Sequence, residues 1–303
     1  MTQFYLLLAA VVCSFGGFNS SISISAEDDN TVAATVDGFE ISDARVLRQL
    51  QLSLGNREPS DSMLRRLKTE ALDHLINRHL VLLSVESRGG EIGPGQIALE
   101  VSKLEDRLKE IGKSLDDHLE TTNTTKAGLQ YEFRWQLAWS KYLEKHMTRD
   151  NLEQFYLRNQ RKYDGTKVRL SHVLLKGDSP DVVEQAADIR NQIVAGKLAW
   201  NDAVEKYSIA RSSKVEHGDV GWIGYHGPMI PQFCQAGIEL NQDEISQPVK
   251  TQFGIHLIKC DQVQPGKVGF VDAKQLVRRD AMKFLFEKLA QNQKALSKIV
   301  INH

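Results

Sequence analysis

Apolar residues recur along this chain with two different periods, and the change between them divides it. Through residues 60–88, Leu64, Leu67, Ala71, Leu75, the Ile76–Leu80 neighbourhood and Leu83 return at steps of three and four, the spacing of one helix face. Gly89-Gly90 ends that pattern. Ile97, Val101, Leu104 and Leu108 form a second stripe over 94–111, closed by Gly112. After the polar string TTNTT at 121–125 comes a helix crowded with Tyr131, Phe133, Trp135, Trp139 and Tyr142. That is too many aromatics for a narrow stripe. It predicts a central core helix, with an apolar cradle for unfolded chains as the functional alternative. A further helix spans 150–163. Ahead of all these, residues 31–42 carry Asp37-Gly38, a hairpin signal, and lead to a helix start at Ser42 or Asp43.

From residue 167 the period falls to two. Residues 167–176 alternate, with Val168, Leu170, His172 and Leu174 on one strand face. Ser179-Pro180 opens a helix that Gly196 closes, and a shorter helix covers 200–207. A polar loop over 208–217, a strand over 220–225, a helix over 232–238 and strands over 245–250 and 255–261 follow. This order predicts an α+β unit, a small antiparallel sheet covered by helices. Gln264-Pro265-Gly266 reads as a linker, and 270–299 as one more long helix. The last segment, KIVIN at 298–302, is a lone strand that needs a partner, and the hairpin at 31–42 is the natural one. The expected fold class is therefore α+β. A helical N-terminal domain (27–164) is completed by a C-terminal helix and strand (265–303), and the α+β domain (165–264) is inserted between them.

Composition narrows the functional classes. The chain has 303 residues, 41% hydrophobic and 25% charged, with a net charge of −1. Its Lys and Arg are scattered, which argues against nucleic acid as a main partner. Phe4 to Val12 is an apolar run far too short to span a ~30 Å hydrocarbon core at ~1.5 Å per residue. It fits the apolar segment of a secretory signal over 1–26, with Ser23 and Ser25 before Ala26, although no Lys or Arg precedes it. Export to the periplasm or another extracytoplasmic space is the expectation, with no stable membrane span. Cys13 lacks the small residues before it that a lipid-anchored Cys would need. Cys234 and Cys260 read as buried thiols, a disulfide between them staying open. No spacing suggests a metal site, and no cofactor is implied.

The chemistry concentrates in SHVLLK (171–176), HGDVGWIG (217–224), PMIPQF (228–233) and ELNQDEISQPVKTQFGIHLIK (239–259). These motifs, in this order, resemble the parvulin-type peptidyl-prolyl isomerases over residues 168–262. The flanking layout, with VDGFEIS, ALDHLINRHLV and the final KIVIN, resembles the exported SurA/PrsA foldases. The resemblance implies isomerisation of X-Pro bonds in unfolded or exported client polypeptides. A variant that only binds clients is the alternative. It also implies that His172 and His256 are the central catalytic pair on adjacent strands. Val220 (where leucine is usual), Met229, Phe233 and Phe253 would form the proline pocket, and Ser208 and Thr251 supply nearby hydroxyls. Met229 and Phe233 share a face if the helix has begun by 229. One position departs: in YSIARSS, Ala210 stands where an Asp or Cys is expected, and alanine neither accepts a hydrogen bond nor carries charge. Asp202, Glu205, Glu216 and Asp219 are the acids near enough in sequence to substitute. The loops at 176–178 and 211–214 lack the clustered basic charge of a phosphate reader. The bland alternative for each histidine is a hydrogen-bonded core residue.

Overall fold

The computed structural model describes residues 31–54 and 59–302. The signal expected over 1–26 lies outside them. Among the described residues, no helix is long and apolar enough to cross a membrane. The chain forms two compact units, with boundaries near residues 135 and 290; residues 89–91 also belong to the second.

The first unit begins with strands β1 (Val32–Val36) and β2 (Phe39–Ser42). They are joined at Asp37-Gly38, whose φ angles of 49° and 84° are the left-handed pair that a tight hairpin needs. Helices α1 (Asp43–Leu54) and α2 (Asp61–Val85) follow, the latter ending in a wide turn over Glu86–Gly90. Then come α3 (Pro94–Glu110), α4 (Leu115–Thr121) and α5 (Lys126–His146). The α3 stripe of Val101, Leu104 and Leu108 packs on Leu129 and Phe133 of α5, with Leu115 and Leu119 of α4 alongside. Helix α4 was not expected. Its signal is a capping box, in which Ser114 Oγ accepts from Asp117 N–H at 3.1 Å and Asp117 Oδ2 accepts from Ser114 N–H at 2.9 Å.

The aromatics of α5 serve as core here. Tyr131 stacks on Phe39 at 4.9 Å and its hydroxyl meets His79 Nδ1 at 3.0 Å, while Trp135 Nε1–H donates to the Arg78 carbonyl at 3.0 Å. The terminal strand β7 (Ile299–Ile301) pairs antiparallel with β1, Ala34 facing Ile301 and Val36 facing Ile299. The sheet order is β2-β1-β7, so the expected partner of KIVIN is the one observed.

The second unit holds α6 (Arg149–Arg158) and α7 (Gln160–Tyr163), two helices where one was expected over 150–163. They lead to β3 (Lys167–Leu175), α8 (Pro180–Val194), α9 (Trp200–Tyr207), the single turn α10 (Arg211–Lys214) and β4 (Asp219–Gly224). Helix α11 (Pro231–Ile238), β5 (Val249–Thr251), β6 (Gly254–Gln264) and α12 (Phe270–Lys294) follow, before β7. The strand expected over 245–250 shrinks to β5 plus a lone bridge between Ile245 and Lys259. Helix α12, through Leu289, clusters with this unit. Trp139 meets Phe286 edge-on at 5.9 Å, and Tyr163 and Lys162 both reach Asp280.

The sheet is antiparallel throughout, in the order β4-β3-β6-β5. Strand alternation sorts its two central strands onto two cores. Val168 and Leu170 of β3 and Ile258 and Cys260 of β6 join Phe233, Cys234 and Ile238 of α11 on one side. Val173, Leu175, Ile255 and Leu257 join Ala186 and Ile189 of α8 and Val204 of α9 on the other. Cys234 and Cys260 are buried free thiols in the first of these cores. His172 and His256 have the parity that points to that side.

Candidate active site

The β3–β6 register places Ile258 opposite His172 and Leu174 opposite His256, so the two histidines are diagonal neighbours on one sheet face. Their Nδ1 atoms lie 3.1 Å apart and the rings are nearly parallel. Phe233 meets both rings edge-on, at 5.6 Å from His172 and 5.5 Å from His256. All three side chains are buried. Burial pushes His172 down to about 4; burial, with the neighbouring His172 second, does the same to His256. Both imidazoles are therefore neutral at pH 7.

One arrangement of protons satisfies the hydrogen bonds of the pair. Thr251 Oγ1 accepts from Phe253 N–H at 3.1 Å and gives its one proton to the Gly254 carbonyl at 3.3 Å. In that arrangement it accepts from His256 Nε2–H, which lies 2.9 Å away. His256 Nδ1 is left bare and accepts from His172 Nδ1–H. A proton added to His256 Nδ1 would set two donors against each other, a second reason for the pair to stay neutral.

Backbone geometry around the pair is tight. Gly218, at φ 89°, accepts from His172 N–H at 2.9 Å, and a Cβ there would sit 2.5 Å from the His172 carbonyl oxygen. Its closeness to β3 comes from long-range packing. Ser208 is buried, and its Oγ accepts from Leu174 N–H at 3.2 Å and Ala210 N–H at 3.3 Å. Ile209 N–H donates to the Leu174 carbonyl at 2.8 Å, so the loop bearing Ala210 is sewn to β3 two residues beyond His172. Of the acids considered as substitutes, Asp219 is committed elsewhere. Its carboxylate pairs with Arg169 at 2.7 Å, accepts from Gly221 N–H, and is held below the usual carboxylate range chiefly by Arg169.

The expected pocket residues divide. Val220 and Met229 are half-buried against the α11-side core, and Phe253 is 58% exposed beside Thr251. Phe233 has no exposed surface and lies edge-on against both histidines. Met229 and Phe233 do not share a helix face, because α11 starts only at Pro231. Proline there fixes the first turn, and Met229 sits in the preceding loop, its carbonyl facing Cys234 Sγ at 3.5 Å.

A small antiparallel sheet that carries a buried, hydrogen-bonded histidine pair beside a half-buried apolar surface is the frame of one isomerase class. Residues 171–262 match the Rotamase family model, described as a PPIC-type PPIase domain. This segment is a parvulin-type peptidyl-prolyl isomerase domain. The wider chain is homologous to proteins named PrsA and SurA. The Foldase protein PrsA of Halalkalibacterium halodurans is 26% identical over 272 residues, covering 85% of this chain and 72% of that protein. A putative peptidyl-prolyl cis-trans isomerase SurA of Haemophilus influenzae is 27% identical over 264 residues, covering 80% and 79%. The crystal structure of the peptidylprolyl isomerase PrsA from Bacillus anthracis matches at a TM-score of 0.35 and 20% identity, over 77% of this chain and 99% of that one. Together the domain and the homologues support a peptidyl-prolyl isomerase and foldase role, as the sequence motifs implied.

Proposed function

We propose that the domain isomerises X-Pro bonds of unfolded client polypeptides, with His172 and His256 as the central pair. Val220, Met229 and Phe253 hold the proline ring, and Phe233 is a positioning residue under the histidines. An X-Pro bond faces a barrier of ~18–20 kcal/mol because rotation breaks amide resonance, and unaided it turns over in tens to hundreds of seconds. Nothing is cleaved, so neither nucleophile nor cofactor is needed. What helps is a dry apolar grip on the ring and fixed dipoles beside the twisted amide. The observation that carries this reading is the neutral Nδ1–Nδ1 pair at 3.1 Å, buried against Phe233. Its protons are committed to Thr251 and to each other, which fits a positioning dipole better than a proton-transfer base.

Ala210 favours a second reading, in which the grip persists and catalysis is weak. The leader-like run at 4–12 supports delivery of clients outside the cytoplasm, and the helical unit is the candidate holdase. NMR exchange spectroscopy on an Ala-Pro peptide with the intact protein tests the first reading. Accelerated cis/trans exchange supports it, and binding without acceleration turns it over to the second. A large rate gain in Ala210→Asp would show that this position limits the reaction.

A further inference from the structure

The second unit contains a cavity of about 700 Å³, within the ~300–1,000 Å³ of ordinary ligand sites, that the isomerase reading touches only at Met229. It lies where the loop before α11 faces α6, α7 and α12. Phe155, Tyr225 and Phe284 give it aromatic walls, the first and last 5.7 Å apart. Its charged lining is unbalanced. Arg158, Lys162, Arg279 and Lys283 stand against two carboxylates, Asp280 and Glu287, an excess of two positive charges in a chain whose net charge is −1.

The carboxylates present do not close that excess. Asp280 is saturated: Lys162 pairs with it at 2.8 Å, Arg279 at 3.2 Å, and Tyr163 Oη–H donates at 3.2 Å. Glu287 makes only a loose pair with Lys283 at 3.7 Å, both side chains being more than 60% exposed. Arg158 has no ion pair among the described residues. A guanidinium beside aromatic faces is suited to a carboxylate, which it can hold through two parallel N–H donors. The cavity also shares Met229 with the proline pocket, so a chain seated at one continues into the other.

We propose that this cavity is a second client subsite, one that takes an Asp or Glu side chain close to the prolyl bond. The proposal rests on the isomerase reading for the position of the proline. It makes the protein selective for X-Pro segments flanked by acidic residues and poor at basic ones.

The test uses the intact protein and fluorescein-labelled octapeptides with a central Ala-Pro. Glu, Gln or Lys is placed at one flanking position at a time, on either side of the proline, and Kd is read by anisotropy. Glu should bind about fivefold more tightly than Lys at one or more positions, the worth of two partly exposed ion pairs, and the gap should close at high salt. The double variant R158E/K283E, at two exposed positions where folding is not at stake, should erase or invert that order, with the Gln peptide as reference. Equal affinities for Glu, Gln and Lys at every position overturn the proposal, as does a preference that survives the double variant. Proline exchange on the Gln peptide separates the two readings. Acceleration without charge preference removes only the subsite. Charge preference that the double variant erases, without acceleration, removes only the isomerase reading.

Discussion

Replacing Thr251 by valine keeps the shape of the side chain and removes the hydroxyl that sets the tautomers of the histidine pair. Three groups lose a partner: His256 Nε2–H, Phe253 N–H and the Gly254 carbonyl. Phe253 is largely exposed, so water can serve its N–H at little cost; His256 is buried and cannot be served that way. A stranded buried donor costs about 1–3 kcal/mol. Adding part of that for the carbonyl, Thr251→Val should lose roughly 2–3 kcal/mol in urea unfolding and lower Tm by roughly 5–10 °C. The direct readout is imidazole ¹⁵N NMR at pH 7. In the native protein His256 should carry its proton on Nε2, and His172 should carry its proton on Nδ1, the less common form. In Thr251→Val, with the anchor gone, the pair should populate the reciprocal arrangement. A native spectrum showing His172 protonated on Nε2, or either ring protonated on both nitrogens, would refute the network. So would a valine variant as stable as the parent.

The remaining expectations concern pH, backbone and packing. His79 is held at about 4 by burial and then by Arg45 and Arg134, against 6.5 when unfolded. Below pH 6.5 the unfolded chain binds a proton that the native state refuses. Stability is therefore complete above 6.5 and falls as pH drops toward 4, by roughly 3 kcal/mol for His79 alone. The His172–His256 pair acts in the same direction, and urea midpoints at pH 7.5 and 4.5 should show the fall; a flat profile would contradict the burial argument. Gly218→Ala forces a side chain into a left-handed residue and against the His172 backbone. It should destabilise by about 2–3 kcal/mol and broaden the His172 signals, as judged by calorimetry and NMR. Phe233→Ala removes a fully buried ring and should cost about 3–5 kcal/mol of stability. A variant that lost only peptide affinity, with an unchanged Tm, would mean that Phe233 is a ligand surface after all.

Most of this layout was legible because local signals and long-range needs agreed. Asp37-Gly38 made a hairpin, KIVIN lacked a partner, and alternation in β3 put His172 on one strand face, with the family resemblance placing His256 on the strand beside it. What was not legible has particular causes. Helix α4 has only two apolar residues on its packed side, too few for a period, and its capping box was the one clue. Met229 missed the helix by two residues because Pro231 sets the start of α11. The sealing of Phe233 depends on how closely α11 approaches the sheet, where Gly237 lies against Leu170. The cationic cavity joins residues 158–162 to 279–283, more than 100 positions apart, and no window of sequence brings them together.

The pairing of β7 with β1 also sets an order of assembly. Residues 136–289 form one unit from a nearly continuous stretch and can fold as soon as that stretch is available. The three-stranded sheet cannot close until residues 299–301 are made, because the middle strand is among the first described residues and its second neighbour among the last. Until then β1 offers an open edge, with its main-chain donors and acceptors unpaired on that side. The unit read as holding unfolded chains is thus itself the last part of this protein to finish folding. A chain clipped by only a few C-terminal residues would keep its isomerase domain and carry a sheet edge ready to pair with strangers.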